Sequence, residues 1–300
     1  MAEQAEKELL SLTNDYVFRR IFAEKNKPAL ADFLAAVLDM TVEELGEITV
    51  DDPNIYREHK GGKGGVLDIR AHTKSGEIYH VEVQLNPDDY FANRITYYNS
   101  RIYSGQLESG DEYSVLHRTI SIVITNKNFL KENNDYNNKF QWYNSANGCL
   151  LTDAQEINTL ELDKLPVADD CTKLWKWLKL LKTRRGDEME EIAKDNSAMK
   201  DVVVTLRKMS ADESERMHAE WREKEERDRA SRHASGLRQG LREGREKGLE
   251  EGREKGLEEG RVEGAAQALQ ETARKMKEYG DPVDKISDIT GLTTEEISRL

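Results

Sequence analysis

Residues 66–85 contain Val66-Leu67-Asp68-Ile69-Arg70-Ala71, then the short loop Lys74-Ser75-Gly76, then Tyr79-His80-Val81-Glu82-Val83-Gln84-Leu85. Apolar and polar residues alternate in the two flanking segments, which predicts a pair of half-buried strands. The three-residue loop carries Gly where such loops favour a left-handed backbone, so the strands are expected to form a hairpin. This register sets Asp68 directly opposite Glu82, with Gln84 on the same face.

Two carboxylates that face each other across a hairpin are unfavourable without a partner. The Cβ atoms of Asp68 and Glu82 would lie about 4.5–5.5 Å apart, where like charges repel. A proton or a cation between them would remove this repulsion. Mg²⁺ or Mn²⁺ suits such a site, because hard cations prefer carboxylate oxygens. The alternative interpretation is the exposed polar face of an ordinary hairpin.

This hairpin resembles the core of the PD-(D/E)XK nuclease superfamily, and the chain is most similar to the recombination-promoting nucleases, often described as PD-(D/E)XK family transposases. Four further stretches carry the resemblance: Leu12-Thr13-Asn14-Asp15-Tyr16-Val17-Phe18 through Ile21-Phe22, Glu82-Val83-Gln84-Leu85, Leu160-Glu161-Leu162-Asp163-Lys164, and Trp175-Lys176-Trp177-Leu178. Each motif alone occurs often by chance. Their order along roughly the first three fifths of the chain makes the resemblance specific.

The resemblance implies an α/β fold with a restriction-endonuclease-like core, and a site formed by Asp68, Glu82 and Gln84. The two carboxylates would bind the metal, which lowers the pKa of an attacking water and neutralises charge on the scissile phosphate. Gln84 stands where the superfamily usually has Lys, so it can orient the water but adds no charge. The implied function is a divalent-metal-dependent DNA endonuclease, linked to recombination or mobile-element transfer.

A catalytically degenerate nuclease fold, acting as a DNA-binding or assembly module, remains the second interpretation. The chain carries 45 Lys and Arg against 58 Asp and Glu, a net charge of −13. Acidic residues also outnumber basic ones within residues 1–126. An acidic surface binds phosphates weakly unless metal ions or other parts supply positive charge. This charge and the missing Lys favour the second interpretation, whereas the intact Asp68 and Glu82 oppose it.

Other candidate site residues lie on two predicted helices. Asp15, near the start of the first helix, is either a further metal ligand or a carboxylate favoured by the helix dipole. Residues 90–109 form the second helix, and its polar side chains could grip a phosphate backbone or stack on bases. They are Arg94, Tyr98, Arg101 and Gln106. The alternative for the tyrosines is packing into the core.

The composition excludes several classes of protein. No run of about 18 apolar residues occurs, so neither a transmembrane helix nor a membrane partner is expected. The first residues lack the basic region and apolar core of a signal peptide. Cys149 and Cys171 are too few for a disulfide framework or a zinc site. A cytoplasmic protein with ordinary reduced cysteines is therefore expected.

Glycine recurs at every fourth position within the charged C-terminal part of the chain. The repeat consists of Gly236, Gly240, Gly244, Gly248, Gly252, Gly256, Gly260 and Gly264. Each glycine destabilises a helix by about 1 kcal/mol relative to alanine, so eight amount to roughly 8 kcal/mol. Close packing against a second helix would offset this, which predicts a homo-oligomer through residues 236–264. The alternative is a flexible, charged linker.

The chain is predicted to divide into four parts. Residues 1–155 form the nuclease-like core, and residues 156–208 extend it with helices. Residues 209–278 form a long, charged, coiled-coil-like helix, a C-terminal stalk that contains the glycine repeat. Residues 279–300 form two short helices split at Gly291. This last part lacks the basic recognition helix of a helix-turn-helix protein, so it is interpreted as a cap or tether.

Overall fold

The computed structural model describes residues 8–51 and 69–300, except for the side chains of Arg229, Ala230 and His233. The chain divides into two units, residues 1–228 and 229–300, and each is described by itself. Within the described residues, no helix is both long and apolar enough to span a membrane.

A six-stranded mixed sheet lies at the centre of the first unit, in the order β1-β2-β3-β4-β6-β5. The strands are β1 (Ile48–Val50), β2 (Ile69–Thr73), β3 (Ile78–Gln84), β4 (Thr119–Thr125), β5 (Asn137–Tyr143) and β6 (Leu150–Glu161). β3, β4 and β6 run parallel to one another, and the other neighbours pair antiparallel. This confirms the α/β class.

The helices account for most of the remaining described residues. They are α1 (Asp15–Arg19) with a π-helical turn (Arg20–Lys25), α2 (Lys27–Leu38), α3 (Val42–Leu45), α4 (Phe91–Ser104), α5 (Lys173–Lys182), α6 (Gly186–Ala193), α7 (Ser197–Ala211), α8 (Glu213–Glu278), α9 (Val283–Thr290) and α10 (Thr294–Arg299). The short helices Tyr113–Val115 and Leu162–Lys164 are 3-10 helices. Asn26 caps α2, and Pro28 lies in its first turn, where the missing N–H of proline has no partner to lose.

The predicted hairpin forms from β2 and β3. Ile69 pairs with Val81 and Ala71 pairs with Tyr79, which is the register expected from the sequence. Gly76 has φ +94°, a backbone conformation that residues with a Cβ rarely adopt, so this position of the loop favours glycine. Asp68 lies outside the described residues, so its pairing with Glu82 stays a prediction.

One face of the sheet carries the main hydrophobic core. Residues of β2, β3, β4 and β6 pack there against α1, α2, α5, α6, α7 and the π-helical turn. Phe22 lies between Phe18, 4.5 Å away by ring centroids, and Trp177, 5.7 Å away. The indole nitrogen of Trp177 donates to Asp32 Oδ2 at 2.9 Å. Two stretches that carry the family resemblance therefore pack against each other in the core.

The opposite face of the sheet is covered by α4. Phe91 and Ile95 pack against Val123 of β4, and Ile102 packs against Ile78 of β3. The helix ends at Ser104, earlier than the predicted residue 109, and Gly105 follows it. Because side chains alternate along a strand, the residues of β3 that face α4 are Ile78 and three polar residues, His80, Glu82 and Gln84.

β6 was not predicted from the sequence, and its buried side chains include several polar groups. Glu156 is fully buried and accepts hydrogen bonds from Arg118, Gln141 and Asn158. Glu161 is likewise buried and paired with Lys164 at 2.9 Å. β6 runs through residue 155, the predicted end of the core, and the four-part division of the chain stays a prediction.

The second unit contains the glycine repeat, which lies within α8, and the two short helices that follow. Gly291 has φ +70° and ends α9, as predicted for the split. Ile286 of α9 and Ile297 of α10 pack against Ala273. Ile289 of α9 is exposed.

Candidate active site

Glu82 lies near the end of β3 and is the only acidic residue on the described part of this strand. Its side chain is 15 % exposed. Gln84 follows two positions later on the same face, at the last residue of β3. Glu82 pairs with Val123 of β4 and Gln84 pairs with Thr125, so the sheet positions both side chains at the C-terminal end of β3.

Arg94, in the first turns of α4, contacts both residues. Its Nη2 donates to Gln84 Oε1 at 2.7 Å and to Glu82 Oε1 at 3.3 Å. The guanidinium also stacks over the Phe91 ring, with 4.9 Å between Cζ and the ring centroid. Arg94 is 34 % exposed, so it can reach a bound molecule from this position.

Burial dominates the electrostatics of Glu82. It raises the pKa of the Glu82 carboxyl above its ordinary value, and the neighbouring Arg94 lowers that pKa without cancelling the effect. The charged carboxylate is thus incompletely compensated by its described neighbours. A further cation beside Glu82 would therefore stabilise the charged carboxylate.

His80 lies on the same face of β3 and is almost fully buried, at 1 % exposure. Its Nδ1 lies 3.4 Å from Ser121 Oγ, and its Nε2 lies 3.8 Å from Glu82 Oε2. Burial, and then the Arg70 charge on the paired position of β2, lower the pKa of His80 to about 4. The imidazole is therefore neutral near pH 7.

A second group of charges lies on β2 beside His80. Arg70 Nε is 3.1 Å from Asp51 Oδ2, and His72 Nδ1 is 2.7 Å from Asp51 Oδ1. Asp51, Arg70 and Ser121 were not predicted from the sequence as residues of the site. Alternation along β2 could have assigned Arg70 to this face, whereas Asp51 and Ser121 depend on strand pairing that the sequence does not specify.

The start of α8 borders the site. Gln84 Nε2 donates to the Asn86 carbonyl oxygen at 3.3 Å, and Asn86 Nδ2 donates to Glu226 at 3.2 Å. Asp15 accepts from the Tyr16 backbone N–H at 2.7 Å, and its other oxygen lies 3.8 Å from Arg222. These described contacts of Asp15 are with α1 and α8 rather than with Glu82, and its role as a metal ligand stays a prediction.

The other candidate residues of α4 have different surroundings. Gln106 accepts from the His117 N–H at 2.8 Å and donates to the His117 carbonyl and to Thr119, so it joins the end of α4 to β4. Tyr98 is half-buried against Ile78. Arg101 is half-buried and has no ion-pair partner among the described residues. Within this set, the structure brings Arg94 together with Glu82 and Gln84.

The described donor atoms suit a hard cation. Glu82 offers a carboxylate and Gln84 an amide carbonyl oxygen, and oxygen ligands are those that Mg²⁺ and Mn²⁺ prefer. In the part of the chain that the structure describes, no three His, Cys, Asp or Glu residues cluster as a metal site. Asp68, the second predicted ligand, is outside that part.

The geometry agrees with a comparison against family models. The model of the PD-(D/E)XK nuclease family transposases matches residues 12–236, more than half of the chain. The chain belongs to this family. The match includes the hairpin, α4, the Trp177 helix and the first part of α8, so it extends beyond the three fifths expected from the motifs. Among curated proteins and solved structures, none matches the chain significantly.

Membership of the PD-(D/E)XK nuclease family transposases supports a role in nucleic-acid cleavage or in mobile elements. Nucleases of this superfamily generally use divalent metals.

Proposed function

We propose that this protein is a metal-dependent DNA endonuclease that acts in recombination or mobile-element transfer. The observation that carries the proposal is Glu82, a nearly buried carboxylate with a raised pKa on the second strand of the hairpin, in a chain that belongs to a nuclease family. A buried carboxylate whose charge is incompletely paired destabilises the fold. A role in binding a cation explains why such a residue is present.

Glu82 and Asp68 would hold Mg²⁺ or Mn²⁺, with Gln84 close by. When bound, the metal supplies an acidified water and neutralises charge on the scissile phosphate. Gln84 would orient that water through its side-chain amide, which is fixed between Arg94 and the Asn86 carbonyl. Arg101 and Tyr98, further along α4, would contact the DNA backbone.

Arg94 would supply the positive charge that the usual Lys of the superfamily provides. Its guanidinium nitrogen lies 2.7 Å from the Gln84 amide oxygen, next to the position where a lysine would stand. Arginine remains charged and offers several donors in a fixed plane, which suits phosphate oxygens. The site would therefore keep a positively charged side chain, although Gln84 stands where the superfamily usually has Lys.

Substitutions at these two residues separate their roles. Arg94→Met should lower the cleavage rate about a hundredfold, the effect of removing one donor that stabilises transition-state charge. Gln84→Leu should also impair cleavage, because the water loses its partner. Gln84→Lys should keep part of the activity, since a cation then stands where the water is activated. The measurement is the rate of plasmid nicking at saturating metal.

The matched control is Arg101→Met, seven residues along the same helix. It removes one phosphate contact and should change the nicking rate by less than about tenfold, with a larger effect at high salt. Equal rates for Gln84→Leu and Gln84→Lys would show that Gln84 has no catalytic role. Nicking by Arg94→Met at the wild-type rate would show that Arg94 does not supply the positive charge that the usual Lys provides.

DNA binding should depend strongly on metal and on salt. The net charge of −13 opposes association with phosphates, so metal-free binding is expected to be weak. Ca²⁺ should strengthen binding without cleavage, because it neutralises the carboxylates but supports catalysis poorly. Fluorescence anisotropy of labelled DNA in Ca²⁺ and in EDTA measures this. Tight binding in EDTA at moderate salt would contradict the charge argument.

A second copy of the chain would pack against the glycine repeat. Gly236 to Gly264 are exposed, and a Cβ at any of the eight glycines would meet nothing within 4 Å in the single chain. Leu237, Leu241, Leu249 and Leu257 beside them are at least 60 % exposed. A period of four exceeds 3.6, so such a stripe drifts opposite to a heptad seam and favours a right-handed crossing.

The degenerate fold remains the second candidate, because Arg94 already pairs with Glu82 and could neutralise it without a metal. Calorimetric titration of Mn²⁺ separates the two candidates. An endonuclease should bind the ion, and Glu82→Gln should abolish that binding. A DNA-binding or assembly module should bind no ion in either form, while DNA association and oligomeric mass stay the same.

A further inference from the structure

We infer that His80 is a positioning residue for Glu82, that its Nε2 carries the proton directed at the carboxylate, and that Asn99 and Ser121 set this tautomer. The inference rests on the proposed function, in which Glu82 binds the metal. Nothing in the family motif Asp…Glu-x-Gln assigns a role to these three residues.

The first observation is an unpartnered nitrogen. His80 Nε2 has no hydrogen-bonding partner among residues 8–51 and 69–300, although the side chain is only 1 % exposed. Buried polar atoms almost always have a partner, because an unsatisfied one is destabilising. Glu82 Oε2 lies 3.8 Å from this nitrogen, which is beyond hydrogen-bond distance. A movement of about 1 Å by either side chain would form the bond.

The second observation fixes the orientation of the Asn99 amide. Its nitrogen lies 3.3 Å from the Thr119 carbonyl and 3.2 Å from the Glu156 carbonyl, which can only accept. Its oxygen accepts from Gln155 Nε2 at 3.1 Å. The third neighbour of the amide nitrogen is Ser121 Oγ, at 3.0 Å. An amide nitrogen donates and does not accept, so the Ser121 hydroxyl cannot donate its hydrogen to Asn99.

Ser121 must then donate its own hydrogen elsewhere. It is fully buried, and the acceptor that the described residues offer is His80 Nδ1, at 3.4 Å. A neutral imidazole that accepts at Nδ1 carries its proton at Nε2. Strand pairing supports this series of hydrogen bonds, because His80 of β3 is paired with Ser121 of β4.

The proton on Nε2 is directed at the oxygen of Glu82 that Arg94 does not bind. Arg94 holds Oε1 at 3.3 Å, so the carboxylate would have one donor on each oxygen and a fixed plane. A donated hydrogen bond also favours the charged form, which burial of Glu82 disfavours. Partners that orient a metal ligand typically change metal affinity ten- to a hundredfold when they are removed.

The test combines ¹⁵N NMR of the imidazoles with Mn²⁺ calorimetry on the full-length protein. The metal-free wild type should contain an Nε2–H tautomer that disappears in His80→Gln, and Ser121→Ala should shift His80 towards the other tautomer. His80→Phe should weaken Mn²⁺ binding about tenfold or more. His80→Gln, whose amide nitrogen can occupy the Nε2 position, should restore most of that affinity. Circular dichroism verifies folding of each variant.

Two results would overturn the inference: an Nδ1–H tautomer of His80 in the wild type, or equal Mn²⁺ affinity for wild type and a folded His80→Phe. If His80→Phe does not fold, the tautomer of His80 in Ser121→Ala tests the inference, because this variant leaves His80 in place. Wild-type protein that binds no Mn²⁺, or binds it equally in Glu82→Gln, contradicts the proposed function instead. In that case the imidazole tautomer alone decides whether Asn99 and Ser121 orient His80.

Discussion

Glu82→Gln should abolish metal-dependent DNA cleavage, with a loss of at least about a thousandfold in rate. A metal acting on water and phosphate supplies several kcal/mol of transition-state stabilisation, and each 1.36 kcal/mol changes the rate tenfold. Glutamine keeps the volume of the side chain and an oxygen for Arg94 but removes the charge that binds the cation. Asp68→Ala, outside the described residues, should have the same effect. Nicking assays at saturating Mg²⁺ measure both.

The same substitution should not destabilise the metal-free protein near neutral pH. Since the pKa of Glu82 is raised in the folded state, its contribution to stability is greatest below the unfolded pKa and is lost as pH rises through the folded pKa. The free energy of unfolding of Glu82→Gln, relative to wild type, should therefore increase over that range. Mn²⁺ should raise the melting temperature of wild type and leave Glu82→Gln unchanged. A folding defect in Glu82→Gln would indicate a structural role instead.

Replacing Gly248, Gly252 and Gly256 with leucine should break or alter the homo-oligomer. If the helices approach closely along the glycines, three leucines separate the backbones and remove the packing that offsets the low helix propensity. Alanine at the same positions should be milder, because it adds one methyl group and favours the helix by about 1 kcal/mol per position. Light scattering coupled to size exclusion gives the mass of each variant at micromolar concentration.

The matched control replaces Glu246, Glu250 and Glu254, which lie away from the row of glycines on the helix, with leucine. Each lies two residues before a glycine, about 200° around the helix, so it adds the same side chains to the opposite side. This control should keep the wild-type mass. A monomeric wild type, or a glycine-to-leucine variant of unchanged mass, would remove the proposed interface, and the glycine repeat would then be explained better as a loosely helical linker.

The hairpin could be predicted because its signals are local. Alternation along residues 69–71 and 79–85 identifies the buried faces, and the loop glycine fixes the register, so the assignment of Glu82 and Gln84 to one face is confirmed. The run Thr119–Thr125 is apolar or small throughout, and it forms the fully buried strand that its composition predicts. Such features need no knowledge of the distant parts of the chain.

The residues around Glu82 could not be predicted in the same way, because they depend on tertiary packing. Arg94 was predicted to bind substrate, but its contact with Glu82 and Gln84 follows from how α4 crosses the sheet. β6 was missed because Glu156 and Glu161 are atypical of a buried strand. Glu156 is paired with the distant Arg118, and Glu161 is paired with Lys164, which lies beyond the end of the strand. Ser121 belongs to the site through its pairing with β3, a non-local parallel contact.

The most direct test of the central claim is plasmid nicking as a function of Mg²⁺ and Mn²⁺ concentration by wild type, Glu82→Gln and Glu108→Gln. Glu108 is an exposed acid in the loop after α4, so its substitution removes one charge away from the site. If Glu82 binds the catalytic metal, we expect metal-dependent nicking by wild type and by Glu108→Gln. We expect no nicking in EDTA, and none above background by Glu82→Gln. Nicking by folded Glu82→Gln at the wild-type rate, or no metal-dependent nicking by wild type, would contradict the central claim.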